Sequence, residues 1–350
     1  MLLEGLYLPL TTPFHPDGRL NLRKLEHNVD RYSRTPAAGM LVLASSGELS
    51  SLADAEASDV LAAAIALAAK HKVMLAGIGR DSTALTLTLA HRASSLQYDA
   101  IAIAAPCLAL TPLETLTYFQ TIADRSPLPV VLLSEPGREL TTDLIATLAP
   151  HPNILGLIDS GRDSGKDSEA STLRIANVLA ATATVTRQVT VTHVFAPVTA
   201  RMLAAESIST IVSAESLSGG TATAVAPSRP ALRTRTRRVG FQVLTSSTSA
   251  MFDAFAAGAV GAAPRLAAAL PQACYEVFQA WKDSDLPLAA EKQERLQAMA
   301  TLVEQSRGIA VTRYACDRNG YFGGHPRLPL LPLNGEERLL IDRLMSNLNN

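Results

Sequence analysis

Short apolar runs alternate with longer amphipathic stretches along the first half of this chain. The runs are Leu6-Tyr7-Leu8-Pro9-Leu10, Met40-Leu41-Val42-Leu43, Val73-Met74-Leu75-Ala76, Ala100-Ile101-Ala102-Ile103, Val130-Val131-Leu132-Leu133 and Ile154-Leu155-Gly156-Leu157-Ile158. Each is too short for a buried helix and almost uninterrupted by polar residues, as expected of a strand covered on both faces. Between them lie helix signals. Leu22, Leu25, Val29 and Tyr32 recur at helical spacing, and Ala53 to Lys70 is rich in alanine. Asp81 or Ser82 can cap a helix running to Leu96, and Thr142 to Leu148 reads as a short helix. Thr111-Pro112-Leu113-Glu114 forms a capping box with proline at the first helical position. Strand, helix, strand, repeated, calls for βα units around a parallel sheet.

The rhythm then breaks. Ser160 to Ser171 is polar and loop-like, Gln188–Thr192 and Ser209–Val212 are candidate extra strands, and Gly219 to Arg237 is rich in Gly, Ala, Thr, Pro and Arg. It resumes at Phe241–Leu244, with a helix through Met251 and Phe255 and a closing strand at Ala259–Ala262. Helices come next, around Ala273 to Trp281 and Pro287 to Gln305.

At 350 residues the chain has room for one large α/β barrel or two ordinary domains. A net charge of −1, with no basic stripe, argues against nucleic acid and against an anionic membrane surface. Arg229, Arg233, Arg235, Arg237 and Arg238 are dense, but aromatic residues to stack bases are nearly absent around them, so that stretch reads as a solvated or partner-facing loop. Cys107, Cys274 and Cys316 are widely spaced, which suits a reducing cytoplasm and neither a disulfide framework nor a metal pair. The first ten residues have no basic region of a secretory signal, and the most apolar run, Val60 to Ala69, is too short for a bilayer. A cytoplasmic protein without a membrane partner is expected.

Six segments together resemble one known family. Thr12-Pro13-Phe14 with Asp17-Gly18 resembles an opening Thr-Pro-Phe…Asp-Gly, and Ala44-Ser45-Ser46-Gly47-Glu48 a Gly-Thr-Thr/Ser-Gly-Glu loop. Ala76-Gly77-Ile78-Gly79 resembles Ala-Gly-x-Gly, and Leu133-Ser134-Glu135-Pro136-Gly137-Arg138 resembles Tyr-Asn-x-Pro-x-Arg. Pro152-Asn153-Ile154-Leu155-Gly156-Leu157-Ile158-Asp159-Ser160 resembles Pro-Asn-Ile-x-Gly-x-Lys-Asp-Ser, and Gly258-Ala259-Val260-Gly261 resembles Gly-Ala-x-Gly. In order and spacing these are similar to the dihydrodipicolinate synthase/N-acetylneuraminate lyase family. The likeness covers Leu6 to Ser160 and Phe241 to about Leu333.

The resemblance implies a (β/α)₈ TIM barrel over 1–265 with a C-terminal helical region, 266–350, packed on it; the family pattern does not explain about 163–238, which is expected as an insertion between strands six and seven. The insertion is expected to protrude on the C-terminal, active-site rim without supplying a barrel strand. The resemblance further implies homodimers or homotetramers and no cofactor.

In the family a lysine ending strand six forms a Schiff base with the keto group of pyruvate or a related 2-oxo acid, and a tyrosine ending strand five relays protons. Here those positions are Ile158 and Leu133. The tyrosine usual after strand four is absent as well, since Pro106 is followed by Cys107, Leu108 and Ala109. Lys166 alone among the lysines falls near the mouth, in a polar loop where its amine stays protonated. No catalytic residue is therefore expected.

Binding equipment remains. Ser45 and Ser46 stand where the family's hydroxyls hold a substrate carboxylate, or else they cap the following turn. Arg138 matches an arginine that receives a second carboxylate in some members, or else it pairs with Glu135 or Glu139. Glu48 is expected to order its loop, and Asp159 to hydrogen-bond backbone. Scattered histidines offer no metal site, Gly77-x-Gly79 lacks the third glycine of a dinucleotide fingerprint, and Ser218-Gly219-Gly220 is not a Walker loop. The expected ligand is a small oxo- or hydroxy-acid. The alternatives are a scaffold with a filled barrel mouth, or a lyase or other carbon–carbon bond enzyme acting on a 2-oxo acid through a remodelled site.

Overall fold

A computed structural model describes residues 1–161, 169–209, 232–305, 307–346 and 348. Lys166, Arg229, Ser218-Gly219-Gly220 and the expected strand beyond Ser209 lie outside the described residues.

Six parallel strands, β1 (Gly5–Pro9), β2 (Gly39–Leu43), β3 (Val73–Gly77), β4 (Ala100–Ala104), β5 (Val130–Ser134) and β6 (Ile154–Asp159), lie side by side in sequence order. Between them run α1 (Leu22–Ser33), α2 (Asp54–Leu67), α3 (Thr83–Ser95), α4 (Pro112–Arg125) and α5 (Thr142–Leu148). After β6 come α6 (Glu169–Ala181), β7 (Arg187–Thr192), α7 (Ala200–Ser209) and β8 (Thr234–Val239). β9 (Gln242–Thr245), α8 (Met251–Ala256) and β10 (Gly261–Ala262) then complete the ring, β9 against β6 and β10 against β1. The result is a closed eight-stranded (β/α)₈ barrel.

Alternate residues of each strand point inward. Leu41, Leu75, Ala102 and Val131 fill the interior, while Met40, Met74, Ile101 and Leu132 face the helices. Both faces are apolar, which is why the strands read as continuous runs. In β6 the alternation shifts. The register slips opposite Val130/Val131, so Leu155 and Ile158, three positions apart, both enter the interior cluster. Helix starts obey the sequence signals: Thr111 and Glu114 form the capping box, and Ser82 caps α3 by accepting from Leu85 N. Asp81 instead accepts from Cys107 N at 2.7 Å.

Beyond the barrel, α9 (Pro271–Lys282), α10 (Leu286–Glu304), α11 (Gly308–Arg318) and α12 (Gly335–Ser346) wrap one side. Trp281 of α9 stacks on Phe255 of α8 at 5.0 Å, fastening this layer to the barrel. Among the described residues no helix is long and apolar enough to cross a membrane.

The insertion corrects the sequence reading in two respects. Residues 169–181, inside the expected insertion of 163–238, form α6, the helix of the sixth βα unit. That helix carries the chain back to the N-terminal end of the barrel, so β7, α7 and the paired β8 lie there and not over the active-site mouth. β7 and β8 pair antiparallel outside the barrel, as expected of a segment that supplies no barrel strand. Arg187 Nη2 donates to Ala149 O at 2.6 Å and to His151 O at 2.8 Å, both just ahead of β6. Ala200 N donates to Asp99 Oδ1 at 2.6 Å, ahead of β4, and Arg201 Nη1 to Ala68 O at 2.8 Å, ahead of β3. Ser209, expected to open a strand, is the last residue of α7.

Candidate binding site at the C-terminal mouth

The C-terminal ends of the strands surround a cavity of about 610 Å³. Its floor is apolar: Leu41, Leu133, Ile158 and Ala263 line it. Leu133 and Ile158 are register partners on adjacent strands, and both are almost fully buried. Among the described residues no lysine, histidine or tyrosine lines the cavity.

The loop after β2 is held in a strained shape. Leu43 and Ala44 have φ of 70° and 55°, a left-handed conformation that costs non-glycine residues energy. Gly77 permits it, because a Cβ there would stand 2.6 Å from the Ala44 Cβ. Gly47 N returns to Leu43 O at 2.9 Å, and Thr12 Oγ1 donates to Gly47 O at 2.8 Å. Below, the buried Glu48 carboxylate pairs with Arg313 of α11, whose Nε donates at 2.7 Å, and accepts from Arg327 N at 3.0 Å. Glu48 is thus a loop anchor, as expected. Ser45 and Ser46 are left at the tip, lining the cavity. Among the described residues, neither hydroxyl and neither backbone N–H makes a hydrogen bond. The turn-capping alternative does not apply.

Across the mouth, Arg138 pairs with Glu135, and its Nη1 reaches Ala105 O at 3.3 Å. It does not line the cavity, whereas Glu135 and Glu139 do. Glu139 Oε1 accepts from Gly137 N at 3.0 Å. After β6, Asp159 is fully buried, accepting from Gly161 N at 3.0 Å and from Arg174 Nε at 2.6 Å. Burial pushes its carboxyl above the usual range, opposed by the Arg174 guanidinium. Its neighbour Ser160 lines the cavity with an Oγ that is buried and without a partner.

Two parts of the wall escaped the sequence reading. After β9, Glu304 at the end of α10 accepts from Thr248 N at 2.5 Å, Ser249 N at 2.9 Å, Ser247 Oγ at 3.1 Å and Ser249 Oγ at 2.6 Å. After β10, Arg265 faces the cavity and donates to Val303 O at 3.2 Å. The hydroxyl-rich run Ser246–Ser249, directly after a strand, was a readable signal; Glu304, more than fifty residues on, carried none.

Fold and cavity define a (β/α)₈ barrel with its site at the C-terminal mouth. Residues 2–176 match the model of the dihydrodipicolinate synthetase family, and the chain belongs to that family. It is 37% identical over 162 residues to a 4-hydroxy-tetrahydrodipicolinate synthase of Xanthomonas campestris, a match covering 45% of this chain and 53% of that one. The chain therefore spans about half the length of the curated relatives it matches at that level. A synthase of the same name from Gluconacetobacter diazotrophicus is 23% identical over 344 residues, covering 97% of this chain and 95% of that one. Among solved structures, the dihydrodipicolinate synthase DapA-2 of Bacillus anthracis superposes with a TM-score of 0.77 at 19% identity, covering 99% and 98% of the two chains. YagE, a prophage protein of the same family from E. coli K12 solved with pyruvate, gives 0.76 at 21%, covering 100% and 99%. These structures share the fold.

Proposed function

We propose that this family member no longer performs Schiff-base aldol or lyase chemistry and binds a small oxo- or hydroxy-acid in its barrel mouth. One observation carries the reading. Ile158 and Leu133, at the positions of the family's lysine and tyrosine, meet side by side on the floor of an open cavity. Neither side chain can attack a carbonyl or relay a proton. The scaffold alternative called for a filled mouth, and a cavity of about 610 Å³ speaks against it. The unengaged hydroxyls and N–H groups of Ser45 and Ser46 supply a seat for a carboxylate. The alternative of a remodelled carbon–carbon bond enzyme draws support from Glu139, a carboxylate on the cavity wall able to act as a base. The reading includes a cytoplasmic homodimer or homotetramer, on the strength of the family resemblance and three free cysteines.

The test is calorimetric titration with pyruvate and with lactate. Wild type should bind both saturably. A Ser45→Ala/Ser46→Ala double variant, folded to the same melting temperature, should bind about tenfold more weakly or worse, because two donors to a charged group are gone. Undiminished affinity in that variant would reject the seat.

A further inference from the structure

The cavity is polar at opposite ends. In the ring of strands β5 lies four places from β1 in either direction, so the two are diametrically opposed. The loops after β2 and β10, on either side of β1, bring donors: Ser45, Ser46 and Arg265. The loop after β5 brings carboxylates, Glu135 and Glu139. Their states differ. Glu135 is neutralised by Arg138, and Glu304 on a third side is saturated by four donors. Glu139 has only the Gly137 N–H at one oxygen, and no cation pairs with it among the described residues. A simple anionic acid would satisfy the donor side and leave this acidic side unanswered across an apolar floor.

We propose that the ligand class of this cavity is an ω-amino acid: a carboxylate seated at Ser45 and Ser46, an aliphatic spacer over Leu133 and Ile158, and a terminal ammonium at Glu139. The inference rests on the carboxylate seat proposed above and adds the second charge. In this arrangement the cation that the family's lysine would bring to the floor arrives on the ligand. Size agrees. Strands about 4.8 Å apart and tilted about 36° make an eight-stranded ring about 15 Å across. Side chains projecting from both walls leave roughly half of that. An extended five-carbon ω-amino acid separates its charges by about 6 Å.

The experiment titrates full-length protein with 5-aminopentanoate and with pentanoate at neutral pH, in wild type, Glu139→Gln and Ser45→Ala/Ser46→Ala. Wild type should prefer 5-aminopentanoate at least tenfold. Glu139→Gln should abolish that preference while leaving pentanoate affinity unchanged or improved, and the serine variant should weaken both ligands alike. Equal affinities in wild type, or a preference that survives Glu139→Gln, overturns the inference. If both acids bind equally and the serine variant weakens both, the carboxylate seat stands and only the ammonium site is lost. If neither acid binds, and pyruvate and lactate also fail, both readings fall together.

Discussion

The two ends of the barrel treat their polar groups in opposite ways. At the N-terminal end cations lie across carbonyls. Lys72 Nζ donates to Thr35 O at 2.6 Å and Ala37 O at 2.7 Å, Arg201 reaches Ala68 O, and Arg187 reaches Ala149 O and His151 O. β7 and α7 supply these two arginines and cover this end. At the C-terminal end the anchoring groups are set back, as with Glu48 and Arg313, while Ser45 and Ser46 line the cavity with hydroxyls that bond to no described residue, and the Ser160 hydroxyl is buried without a partner. Buried polar groups are normally satisfied, and the sealed end keeps exceptions of its own, Arg187 Nη1 and Arg201 Nε, on guanidiniums whose other nitrogens do reach carbonyls. One end has the chemistry of a seal and the other that of the proposed seat, so substitutions at the two ends should fail in different ways.

The largest effect is expected where the seat is anchored. Arg313 and Glu48 have side chains only 1% exposed, and Arg313 Nη2 also donates to Thr12 O at 2.8 Å. Arg313→Ala leaves a buried carboxylate without its cation and should cost about 3–5 kcal/mol in urea unfolding. A loss under about 1 kcal/mol would mean the loop after β2 holds its shape unaided.

A smaller effect, at the sealed end, depends on pH. Burial pushes the Lys72 ammonium down to about 8 from its ordinary 10.5. Between those values the unfolded chain holds a proton the folded chain has released, so the contribution of Lys72 to stability should rise with pH across that window. Lys72→Met should remove about 1–3 kcal/mol of that rise between pH 8 and 10.5. The check is the slope and not the level, since the variant also loses two bonds to carbonyls. An unchanged slope would show Lys72 to be solvated.

The strands were legible because both faces of each are apolar, and α4 because its capping box is local. Ile158 and Leu133 stood out in the sequence as departures from the motifs their segments resemble. What the sequence hid is long-range. Whether an insertion caps one end of a barrel or the other depends on whether a helix precedes it, and the polar stretch ahead of α6 obscured that helix. The Thr-Arg alternation of β8 has the period of a strand, but its arginines made it look like a solvated loop. Glu48 and Arg313 stand 265 positions apart, with no local pattern to join them. For Arg138 two partners and a ligand were open, and the tight turn around Gly137 favours Glu135.

The proposed loss of imine chemistry is tested by one measurement. Wild-type protein and the Ile158→Lys variant are incubated with pyruvate, reduced with borohydride and analysed by intact mass and peptide mapping. Wild type should keep its mass. The variant, with an ammonium on an apolar floor and no tyrosine beside it, should be modified weakly at position 158 and show little turnover. A stable adduct on any lysine of the wild type would contradict the account.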